Sequence, residues 1–107
     1  MSVENGLKFF RDDVEEKIRI NDAATKKAEH YLAIAGDRLE AARMIRVYDR
    51  EDLLALVVDE EKDKHIERAQ RLIESTQPEL DKLALERANL ETLLAHVDQA
   101  QDDLRDG

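Results

Sequence analysis

Between Leu7 and Leu104 the chain is interrupted by a single glycine, Gly36, and a single proline, Pro78. A many-stranded sandwich or barrel needs a turn every 8–12 residues or so, and the residues that make such turns are missing. The chain is therefore expected to be all-α. With 107 residues it has the length of one domain, read as a single helical-bundle domain over residues 1–107.

The clearest helical signal lies in the last third. Leu80, Leu83, Arg87, Leu90, Leu94, Val97, Gln101 and Leu104 alternate spacings of three and four, a heptad stripe over about 25 residues. Thr76-Gln77-Pro78-Glu79 spells a capping box, with proline in the first turn where its missing N–H costs nothing. That spelling predicts a helix start near Gln77, preceded by a tight turn around Ser75. Arg87 and Gln101 sit inside the apolar stripe. Their bland reading is a rim position with a snorkelling side chain, and the sharper one is a polar residue that fixes register.

Upstream, Leu7, Phe10, Val14 and Ile18 form one stripe, and Ala28, Leu32, Ala35, Leu39, Ala42 and Ile45 form another. Asn21-Asp22 either caps a new helix or lies on a polar face, and Gly36 marks a possible kink or turn. The expected architecture is an antiparallel helical bundle with coiled-coil character: three long helices, or four if the first is broken near residue 21.

Residues 49–58, DREDLLALVV, place six consecutive apolar residues in a chain that is 40% charged. Asp49, Glu51 and Asp52 suit the positive end of a helix dipole, so the run is read as helical, with a buried strand as the alternative. On a helix, Leu53 to Val58 cover more than half the circumference, which one neighbouring helix cannot bury. Either the same chain supplies a second neighbour or a partner does. The heptapeptide that follows, Asp59 to His65, has no apolar residue and reads as a solvated continuation.

Charge limits the choice of partner. Residues 1–50 hold 10 acidic and 10 basic side chains, whereas residues 51–107 hold 16 and 7, so the net charge of −9 resides in the second half. A phosphate backbone would be repelled there, and no clustered basic face offsets it, so direct nucleic-acid binding is not expected. The acidic residues around Phe9 and Phe10 oppose docking on an anionic membrane. No apolar run approaches a membrane span, and the first residues lack the pattern of a secretory signal, giving a cytoplasmic expectation.

Chemistry finds few candidates. There is no cysteine, no glycine-rich phosphate loop and no serine or threonine set beside a base. The Glu-x-x-His pattern of carboxylate-bridged metal bundles is absent, because Lys27, Lys62 and Leu93 stand three residues before His30, His65 and His96. Glu61 and His65 share a helix face, as metal ligands do, but a solvated or structural histidine explains them as well. No catalytic residue, metal ligand or cofactor is assigned.

The expected function is non-enzymatic: a protein-interaction module acting as an adaptor or assembly subunit, with a homodimer favoured. Its contact residues are expected to be Leu53, Leu54, Leu56, Val57 and Val58, together with Leu90, Leu94 and Val97. The alternative is a small acidic chaperone, or an inhibitor or decoy of a basic, nucleic-acid-binding protein. A Mg-dependent all-α phosphohydrolase, built on Glu15, Glu16, Asp59, Glu60 and Asp63, is the enzymatic alternative.

Overall fold

A computed structural model describes residues 2–45 and 53–107, with side chains from Val57 onward in the second stretch. Two α-helices account for nearly all of it: α1, Val3–Met44, and α2, Leu53–Asp106. The apolar run from Leu53 to Val58 is helical, which removes the strand alternative. Asp49, the expected cap, lies outside the described residues.

The chain divides into two compact units. The first joins Met1–Lys26 to Asp81–Gly107; the second is Lys27–Leu80. Each pairs a segment of α1 with a segment of α2, and in each the pairing is antiparallel. In the first unit Arg11 meets Asp98 and Gln101 while Asn21 meets Leu83. In the second, Ile45 meets Lys62 while Ala35 and Leu72 line one cavity.

The expected count of three or four helices is corrected to two among the described residues. α1 runs unbroken through Asn21 and Gly36, and α2 runs unbroken through Ser75 to Glu79. The phase of the buried positions explains why. In α2 less exposed residues recur at Ile66, Ala69, Ile73, Thr76, Leu80, Leu83, Arg87, Leu90, Leu94 and Val97, alternating threes and fours, with Leu72 and Asp98 half-buried beside that stripe. Ile73 and Leu80 are one heptad apart, so stopping and restarting the helix between them would break a register that the continuous helix keeps. Thr76 is consequently a buried seam residue rather than a cap, and Pro78 is on the exposed side. The Ser75 hydroxyl donates to the Leu72 carbonyl at 3.1 Å, a mid-helix back-bond. Proline still removes one backbone bond from that turn and crowds the carbonyl four residues earlier.

α1 behaves alike. Its inward positions are Leu7, Arg11, Val14, Ile18, Asn21, Thr25, Ala28, Leu32, Ala35, Leu39 and Ala42, again in threes and fours. Phe10, expected in the first stripe, is outside it, and Arg11 takes the seam position. A Cβ built on Gly36 meets nothing within 4 Å, so neither close approach nor a turn demands glycine there.

Both exceptions yield stability tests. Pro78→Ala is expected to raise the unfolding free energy by about 1–2 kcal/mol, the helix-interior penalty less the chain entropy that proline withholds from the unfolded state. At the first turn of a separate helix the same change would be neutral or unfavourable. Gly36→Ala adds roughly 0.5–1 kcal/mol. Urea midpoints at constant slope measure both.

Candidate protein interface

Polar residues punctuate the seam of the first unit. Asn21 is only 3% exposed, and its Nδ2 donates to the Leu83 carbonyl at 3.0 Å. Such a bond forms only when Asn21 and Leu83 are opposite one another, so it selects one sliding position of the helix pair. Arg87 lies half-buried in the stripe. It pairs with Asp22 across the seam and donates from Nε to Glu91 at 2.8 Å. Arg11 repeats the arrangement, pairing with Asp98 and donating from Nε to the Gln101 amide oxygen at 3.1 Å. Arg87 and Gln101 therefore combine both readings: their aliphatic stems lie along the seam while their polar ends bridge the helices. Helical spacing puts Asp22, Glu91 and Asp98 on one flank of the seam, with Phe10 and Leu93 on the other.

The second unit is built from smaller residues. Ala28, Ala35, Ala42 and Ala69 are its buried apolar side chains among the described residues. Alanine allows two helices to approach closely but removes little apolar area from water. Lys62 Nζ donates to the Ile45 carbonyl at 2.8 Å, placing a cation at the negative end of α1. Beyond Ala41 and Ala42 a groove of about 520 Å³ opens, lined also by Arg38, Ile45, Val57 and Val58. Val57 is 55% exposed and Val58 42%, and Met44 and Ile45 are exposed as well. A second cavity of about 440 Å³ lies between Ala35, Arg38, His65, Arg68, Ala69 and Leu72.

The expected contact residues thus separate. Val57 and Val58 stand open at the groove, whereas Val97 is buried in the first unit, with Leu90 and Leu94 half-buried in the same seam. Leu53, Leu54 and Leu56 are helical, and their side chains lie outside the described residues. Sequence reasoning missed Asn21 as a seam residue, and missed Phe9 and Phe10 as an exposed pair, 69% and 58% open, with rings edge to face at 6.1 Å. The signal for both was available: heptads counted from Leu7 fall on Val14, Asn21 and Ala28 and leave both phenylalanines outside.

Of the carboxylates considered for metal chemistry, Glu15 accepts from Arg11 at 3.4 Å and Glu61 from Lys64 at 3.3 Å. The Arg19 guanidinium beside Glu16 holds that carboxyl below its ordinary range through their hydrogen bond. Among the described residues no group of three or more His, Asp or Glu side chains is placed to hold a metal ion. No described helix is long and apolar enough to cross a membrane. No family model, curated protein or solved structure matches the chain.

The cross-seam pairs have modest energetic consequences because both partners retain contact with water. A double-mutant cycle on Asp22→Ala and Arg87→Ala is expected to give a coupling of about 0.2–1 kcal/mol, fading with added salt. Asn21→Ala is expected to cost roughly 1–2 kcal/mol, the lost bond plus the gap left in a packed seam. Chemical denaturation of the single and double variants provides both values.

Proposed function

We propose that the chain is a non-enzymatic protein-interaction module: a helix pair of coiled-coil type that completes its core by associating with protein, first of all with a second copy of itself. Such a module acts as an adaptor or as a subunit of a larger bundle.

The observation that carries this reading is the open groove of the second unit. Met44, Ile45, Val57 and Val58 are large apolar side chains left in water at the place where the sequence has its widest apolar surface. Apolar groups left in water at the groove supply a driving force for association.

Placing a charge in the groove tests the reading. Val57→Asp combined with Val58→Asp is expected to weaken association by about tenfold or more, since two desolvated carboxylates would each oppose burial. Lys64→Ala, on an exposed ion pair, leaves it unchanged. Sedimentation equilibrium distinguishes them, and equal masses for all three proteins at every concentration would remove the groove from the interface.

A further inference from the structure

Arg38 and Arg68 face one cavity with Ala35, Ala69, Leu72 and His65, and among the described residues no carboxylate lines it. Among the described residues neither guanidinium holds an ion pair. Arg38 and His65 also line the apolar groove beside it, together with Lys62 and with Glu61, whose carboxylate pairs with Lys64 at 3.3 Å. In a chain of net charge −9 this is a local inversion: two cations without an ion pair among the described residues, at the side of an apolar trough. An occupant bearing apolar rings and an adjoining carboxylate would satisfy both parts.

The chain itself presents such a group in its other unit. Its only two phenylalanines, Phe9 and Phe10, are adjacent, exposed and stacked edge to face. Aromatic residues are scarce here, and spending both phenylalanines on the surface fits an interface anchor better than a core. Asp12 and Asp13 follow at the helical spacing of three and four, beside the rings. Among the described residues Asp12 holds no ion pair, and Asp13 has only an exposed contact with Lys17 at 3.0 Å, which exchanges readily for another cation.

We propose that the Phe9–Phe10 edge of one copy seats in the groove between Ala41, Val57 and Val58 of a second copy, with Asp12 and Asp13 directed to Arg38 and Arg68. The pairing rests on the self-association proposed above and gives it a specific geometry, ring into trough and carboxylate onto guanidinium.

Charge reversal with rescue tests it on the full chain. Two variants, Arg38→Glu/Arg68→Glu and Asp12→Lys/Asp13→Lys, are compared with the unaltered protein by sedimentation equilibrium, with far-UV dichroism to confirm that the helices persist. Each variant alone is expected to associate about tenfold or more weakly, and an equimolar mixture to recover to within about threefold of the unaltered protein. Phe9→Ser/Phe10→Ser, which alters only exposed side chains, is expected to weaken association without recovery by either charge variant. If the unaltered protein associates but the charge variants match it, or their mixture is no tighter than either alone, the edge-to-groove pairing is wrong while self-association stands. If the unaltered protein is monomeric at every concentration, the self-association reading fails and this pairing with it.

Discussion

Everything in the structure follows from one constraint: a helix pair hides a single stripe on each helix, and here that stripe is kept in phase by spacings of three and four residues along both. The phase is held so consistently that a proline and a mid-helix glycine are carried inside the helices rather than between them. Local signals that elsewhere end a helix yield because a break would misalign every seam residue beyond it. The penalty of one proline on a solvent-facing position is smaller than the loss of several buried contacts.

The seam is narrow, and its composition makes it narrower. Alanine at Ala28, Ala35, Ala42 and Ala69 brings the helices of the second unit close but contributes little buried area. In the first unit Val14 and Val97 supply apolar burial, and Asn21 occupies a seam position between them and the alanines. A leucine at that position would bury more hydrocarbon, so asparagine serves specificity over stability: its bond to the Leu83 carbonyl exists in one register only. Arg11 and Arg87 act similarly by bridging to carboxylates on the opposite helix. Because these clamps close one flank of the first unit, the other flank is where Phe10 and Leu93 meet water.

How much of this the sequence discloses depends on which signal dominates locally. The all-α class is legible in the lack of turn residues, and the last helix in the stripe from Leu80 to Val97. The helix count is misread because Thr76-Gln77-Pro78-Glu79 is a strong local motif, and the capping geometry it favours is overridden by a long-range property, the heptad from Ile73 to Leu80. The first stripe is misread for a related reason. Phe10 attracts an inward assignment by its hydrophobicity, although counting from Leu7 puts Arg11 inward, and an arginine in a seam becomes intelligible only once Asp98 and Gln101 are seen opposite. Of the over-wide run, Val57 and Val58 line the groove, while Arg38 and Arg68, without an ion pair among the described residues, come to notice only when α1 and α2 are set side by side.

The continuity of α2 is the claim on which the phase of its seam depends, and backbone amide exchange tests it most directly. In an unbroken helix the Thr76 and Gln77 amides bond to carbonyls four residues back, at Leu72 and Ile73, and their exchange is expected to be slowed to a degree comparable with Leu83. In a helix that begins near Gln77 both amides belong to the unsatisfied first turn. Rapid exchange at Thr76 and Gln77 beside a well-protected Leu83 would contradict the account.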